Sequence, residues 1–216
     1  MASRRAVIAV ISISACAACC SSETHYKRDM LDRIIPTVAY EEFIGEELRP
    51  FSIESIRRSI PQLLDGLKPS QRKVLWAAFK RENFIVEARV LDFSGYVSDT
   101  SAYHHGQNLD KTIIRMAQDF VGRNNVNLLL PLGQFGSRYS RGKDHATSHY
   151  IHTKLSPIRR FIFIEDDDMI LSYLQEDGKS VEPKFYLPII PLALVNGCKG
   201  AGMGFSTFIP CFLWSM

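Results

Sequence analysis

Apolar residues recur at helical spacing in three separate stretches of this chain. Pro69 opens the first, where Val74, Leu75, Ala78 and Phe79 fall on one face while Arg72 and Lys73 turn to another. Proline suits a first helical turn, because the N–H it lacks would have no partner there. Residues 86–97 and 109–120 read as two further amphipathic helices, with Ile113, Ile114, Met116, Ala117 and Phe120 as core positions of the second. Glycines at 133, 136 and 142 then break the helical period into strand-like pieces, and Tyr150 follows them. Beyond 184 the runs 185–190 and 192–195 read as strands. Three helices followed by glycine-rich strands predict an α+β chain whose first unit is of the winged-helix type.

The N-terminus breaks this pattern. Arg4 and Arg5 precede an apolar run from 6 to 20, and no acid appears before Glu23. Such a run is too short to span a bilayer and has the form of a signal or transit peptide, or of a gene-model artefact. We expect residues 1–37 to be a leader, 38–183 the winged-helix unit and 184–216 the start of a second, mixed α/β domain. With 46% hydrophobic residues in 216, one substantial core can form. Cys16, Cys19 and Cys20 lie in the leader, while Cys198 and Cys211 share no zinc-type or disulfide spacing.

Net charge is only +3, so any polyanion must be held by local clusters. One stands out. Between 138 and 160 the chain carries Arg138, Arg141, Lys143, Lys154, Arg159 and Arg160, with His145, His149 and His152 among them and Asp144 as the one acid. Tyr150 lies inside it. A phenol is a poor nucleophile at neutral pH, and nearby cations stabilise both the phenolate and the charge of a phosphoryl transition state. From charge alone, a tyrosine merely anchored, half-buried, in a basic loop is the favoured account. Two lookalikes fail: the glycines before Lys143 do not have P-loop spacing and Asp144 stands where a serine or threonine is needed, while Gly197, Gly200, Gly202 and Gly204 do not fit a dinucleotide fingerprint.

The ordered motifs decide between the readings. Arg58-Ser59-Ile60-Pro61, Asp65-Gly66-Leu67-Lys68-Pro69, Gln71-Arg72-Lys73-Val74, Tyr103-His104-His105-Gly106, Ala117-Gln118-Asp119-Phe120-Val121-Gly122, Gly133-Gln134-Phe135-Gly136, Gly142-Lys143-Asp144 and Val195-Asn196-Gly197 follow one another along the chain. Together they resemble the DNA-gate segment of eukaryotic type IIA DNA topoisomerases. The resemblance implies a winged-helix (CAP-like) DNA-gate domain followed by the start of a tower domain. It also implies an ATP-dependent enzyme that cleaves and religates duplex DNA through a 5′-phosphotyrosyl link at Tyr150.

By the same resemblance His105 approaches the scissile phosphate. Arg58, Lys68, Arg72, Lys73, Arg138 and Lys143 hold the DNA backbone. The family's Mg²⁺ and ATP are implied as cofactors, both bound outside this chain. Double-stranded DNA, a second copy or a longer topoisomerase chain are the implied partners, with no membrane. The nucleus is the implied location, or an organelle if the leader is a transit peptide.

Two positions depart from the pattern. His149 stands where the family places an arginine, and Ala201 where it places an intercalating isoleucine. A histidine cannot present a guanidinium fork and carries charge only in acid, so cleavage is expected to be weaker and more acid-dependent. A methyl group is too small to wedge open a base step. The alternative function is therefore a DNA-binding fragment with weakened or absent cleavage.

Overall fold

The computed structural model describes residues 39–81, 86–103, 106–176 and 178–212. Contacts divide the chain into two units, with the division between Glu54 and Ser55. In the first, α1 (Tyr40–Glu42) runs into a π-helical stretch (Phe43–Leu48) and then α2 (Arg49–Ser59), which continues into the second. In the second unit follow α3 (Pro69–Lys80), β1 (Ala88–Arg89), α4 (Val90–Thr100), α5 (Gly106–Ala117), β2 (Leu129–Leu132) and β3 (His152–Leu155). After them come α6 (Arg159–Ile162), a 3₁₀ turn at Asp166–Met169, the hairpin β4 (Tyr173–Glu176) with β5 (Lys179–Pro183), α7 (Leu192–Val195), and the hairpin β6 (Cys198–Ala201) with β7 (Ser206–Ile209). The fold is a mixture of helix and strand. Among the described residues no helix is long and apolar enough to cross a membrane. The expected leader, 1–37, lies outside the described residues, and the expected boundary at 183/184 falls inside the second unit.

The core forms where three helices meet a small sheet. Val74, Leu75 and Ala78 of α3, Val90, Phe93 and Val97 of α4, and Leu109, Ile113 and Ala117 of α5 bury one face each, against Leu129, Ile151 and Leu155. β3 is the central strand, antiparallel to both β1 and β2.

Several expected elements shift, each for a local reason. The helix expected over 86–97 begins only at Val90, because Ala88 and Arg89 pair with Thr153 and His152. The helix expected over 109–120 ends at Ala117, because side-chain amides take over its free carbonyls. Asn124 Nδ2 donates to the carbonyls of Arg115 (2.9 Å) and Gln118 (2.7 Å), and Asn127 Nδ2 to that of Ala117 (3.1 Å). Residues 192–195 are helical rather than extended. The run 185–190 joins no sheet, since its backbone donors go elsewhere: Tyr186 N–H to Asp65 and Ile189 N–H to the Ile162 carbonyl.

Arg72 and Lys73 reverse their expected roles. Both are buried on α3, not turned toward solvent. Arg72 grips Asp65 through Nε to Oδ2 (2.8 Å) and Nη2 to Oδ1 (3.2 Å), and also donates to the Leu67 carbonyl. Lys73 Nζ meets Glu176 at 2.9 Å, Glu182 at 3.0 Å and the Ser101 carbonyl at 2.9 Å. Burial pushes the Glu182 carboxyl above its ordinary range, with Lys73 pulling it partly back. Their charges are spent inside the protein, so neither side chain is placed to hold DNA. A helical wheel misses this because the acids that neutralise them lie outside α3, Asp65 in the turn before it and Glu176 and Glu182 about a hundred residues on.

Removing one partner of a buried pair strands the other charge. Asp65→Ala is expected to lose about 3–5 kcal/mol of unfolding free energy, whereas Asp65→Leu with Arg72→Met recovers most of it. Urea denaturation of the full chain measures both.

Candidate functional site

Tyr150 sits at the lip of the three-stranded sheet, one residue before the buried Ile151 that leads into β3. Its own N–H closes a turn onto the Thr147 carbonyl (3.0 Å). That turn is held from three sides. The first two N–H groups of α4, which have no partner within the helix, reach the Ile151 carbonyl from Val90 (3.0 Å) and the Ser148 carbonyl from Leu91 (3.3 Å). Ser148 Oγ donates to Asp110 on α5 (2.8 Å), and Ala146 N–H to the Gln134 carbonyl (2.9 Å). Ile151 is 1% exposed and Tyr150 79%. A backbone fixed to the core thus offers a phenol to solvent.

Beside it runs the basic loop. Asp144 accepts from the N–H (2.8 Å) and the hydroxyl (2.7 Å) of Ser137, and Gly142 N–H donates to the Ser137 carbonyl (2.8 Å), closing residues 137–144 into a ring. These bonds from Ser137 hold the Asp144 carboxyl below the usual aspartate range, and His145 adds to the effect. Gln118, 2% exposed, clamps the ring from beneath: its Nε2 donates to the carbonyls of Phe135 (2.8 Å) and Gly142 (3.1 Å). Gly142 has φ +74° and leaves no room for a β-carbon, which would overlap the Gln118 amide. Arg138, Tyr139, Arg141 and Lys143 project outward from the closed loop.

The remaining candidates are spread more widely. His149 is exposed beside Tyr150, and His105 lies outside the described residues. Arg58 is exposed near the end of α2. Ala201, exposed at the end of β6, comes close to it, because Gly200 packs so tightly on Ser59 that a β-carbon would stand 2.5 Å from the Ser59 carbonyl. Lys68 is half-buried at the start of α3, where its N–H donates to Gln71 Oε1 (2.9 Å). Burial, and then the neighbouring Arg115, lower the Lys68 pKa. The same two causes act on Arg123. Sequence reasoning thus named Lys68 but missed Arg115 and Arg123 grouped with it, and missed Gln118, Ser148 and Asp110 as the supports of the exposed residues. Gln118 had one visible signal: an amide at a position where the apolar stripe of α5 would continue.

The family model for the A chain of DNA gyrase and topoisomerase IV matches residues 58–215. DNA topoisomerase 2 of Arabidopsis thaliana is 56% identical over 181 residues, 83% of this chain and 12% of that protein. The chain belongs to the type IIA DNA topoisomerase family. A mitochondrial DNA topoisomerase 2 of Dictyostelium discoideum is 51% identical over 84% of this chain and 14% of its own length. Among solved structures, the Plasmodium falciparum topoisomerase II DNA-binding, cleavage and re-ligation domain superposes with a TM-score of 0.76 at 51% identity, covering 82% of this chain and 24% of that one. The chain therefore spans only about an eighth of the curated topoisomerases it matches.

Two outcomes test the supports. Gly142→Ala, which combines a left-handed β-carbon with a displaced Gln118, is expected to cost on the order of 2 kcal/mol and to speed proteolysis within the loop. Because the Asp144 pKa is depressed on folding, the loop's closure holds at neutral and mildly acidic pH. It is lost only as pH falls through the depressed value. An NMR titration of the Ser137 amide follows this; release at a higher pH than an ordinary aspartate titrates contradicts it.

Proposed function

We propose that this chain is the tyrosine-bearing DNA-gate part of a type II DNA topoisomerase, with Tyr150 as the nucleophile. One observation carries the reading: a phenol 79% exposed on a turn whose backbone is fixed to α4, α5 and the sheet, beside a closed basic loop. In the reaction Tyr150 Oη attacks a backbone phosphorus, a new P–O bond forms to tyrosine, and the bond to the 3′ oxygen breaks. That oxygen leaves as a hydroxyl, taking up a proton as the phenol gives one to solvent. One phosphate ester replaces another, so resealing is the reverse step and needs no outside energy. The protein's contribution is position and charge.

The relatives' names support this reading, and so does the likeness to a DNA-binding, cleavage and re-ligation domain. In it α3, α4, α5 and the β1–β3–β2 sheet form a winged helix, with the segment after 184 opening the tower. Arg58, Arg138 and Lys143, all exposed, hold flanking phosphates, Lys68 a further one, and His105 approaches the scissile phosphate. The partner is duplex DNA, with a second copy or a longer topoisomerase chain completing the gate, in the nucleus or an organelle. Mg²⁺ and ATP serve the family's reaction. The described residues do not fit the metal: they hold no group of three or more His, Cys, Asp or Glu side chains able to bind it. Asp168 of the Asp166–Asp168 run is paired with Arg160 (3.2 Å). No step is routed through either cofactor.

His149 gives this reading its clearest test. Incubated with a separately supplied metal-binding domain and a nicked suicide duplex, the chain is expected to form a 5′-phosphotyrosyl adduct that Tyr150→Phe abolishes. His149→Arg should raise the yield, by about tenfold for each 1.4 kcal/mol a guanidinium adds at the transition state. If neither wild type nor His149→Arg forms an adduct while both bind duplex, the chain is a DNA-binding fragment without cleavage.

A further inference from the structure

Tyr139 and Arg141 project from the basic loop. Tyr139 is 98% exposed, and with Ser140, Arg141, Lys143 and Asp144 it lines a shallow, open recess. Arg141 is held at φ +54°, a left-handed conformation that glycine adopts freely and that a β-carbon disfavours. Its neighbour Gly142, at φ +74°, shows what the backbone there would accept without strain. Asp144, the acid of the same loop, has its oxygens taken by Ser137, and no ion pair among the described residues involves Arg141. An unpaired guanidinium beside an exposed aromatic ring, on a loop already rigid, has the composition of a nucleic-acid contact: a fork for phosphate and a flat face for sugar or base.

We propose that loop 137–144 makes two DNA contacts beyond those of Arg138 and Lys143, in which Arg141 clasps a further backbone phosphate and Tyr139 packs on the adjoining nucleotide. The proposal rests on the DNA-gate reading above and adds to it two contacts that position the strand. Preformed closure by Ser137, Asp144 and Gln118 lets the loop bind without first being ordered. Both residues are positioning residues, apart from the reacting atoms.

The test is anisotropy of a labelled duplex oligonucleotide titrated with the full chain across a salt series, with thermal melts of each variant. Arg141→Gln is expected to flatten the slope of log affinity against log salt by about one unit, the counterions of one phosphate contact. Tyr139→Ala is expected to weaken binding about fivefold with the slope kept, since stacking releases no counterion. Arg141→Gly should bind as poorly as Arg141→Gln and melt no lower than wild type. This pairing separates a binding role from a structural one. Lys179→Gln, which removes an exposed cation from the β4–β5 hairpin, should leave the slope unchanged.

An unchanged slope in Arg141→Gln, or an equal loss in Lys179→Gln, overturns the proposal while leaving the DNA-gate reading intact. A wild-type chain without salt-dependent duplex binding overturns both.

Discussion

A carboxylate with no exposure to water organises the second unit. Asp65 accepts bonds from the Leu67 N–H (2.9 Å), the Tyr186 N–H (3.1 Å) and both ends of the Arg72 guanidinium. A buried charge is tolerable only when it is fully paired. Here the pairing joins the turn before α3 and α3 itself to the run after β5, 121 positions away. Lys73, one residue on, does the same toward Ser101 and the β4–β5 hairpin. Beneath them Phe79, Phe163 and Tyr186 meet edge to face, with centroids 5.3–5.9 Å apart. The two cations that the sequence offers most plainly to DNA are thus the ones the fold needs most.

That exchange explains how the site is organised. Residues that act on the outside stand on backbone fixed from the inside. Tyr150 is carried by Ile151, Ser148 and the N-terminus of α4, and the basic loop by Gln118 and Gly142. A phenol that must meet phosphorus in line loses much of its effect with small errors in placement. The supports of Tyr150 are accordingly short bonds to α4 and α5, while the basic loop is held by its own bonds and by Gln118.

The chemistry was legible in the sequence where it depends on residue type alone. Tyr150, Arg138 and Lys143 come out exposed and the core positions of α3, α4 and α5 come out buried, but the glycine-rich stretch expected as strand-like pieces forms turns and loop between β2 and β3. What could not be read is whatever depends on a distant partner. The wheel of α3 turned Arg72 outward because Asp65 and the Tyr186 backbone lie outside the window. Residues 88–89 read as helix because their strand partners, Thr153 and His152, are 65 and 63 positions away. Phe120 read as core because nothing near it announces that Asn124 and Asn127 fold back to end the helix. Leu192–Val195 reads as a strand from its apolar run, yet Pro191 precedes it and the N–H groups that follow bond back to Pro191 and Leu192 in a single helical turn.

Under the proposed reading, His149 and Arg141 shift the balance between binding and cutting. The family pattern puts a permanent cation directly before the tyrosine; here that position holds an imidazole, which presents no guanidinium fork. A permanent cation stands instead on the neighbouring loop, at Arg141, held there against its backbone preference. Charge on the loop lowers the energy of bound DNA and of the transition state alike, which tightens binding without speeding the step. Charge next to the phenol acts mainly as the phosphorane forms. A chain that exchanges the second kind for the first holds DNA well and cleaves it slowly.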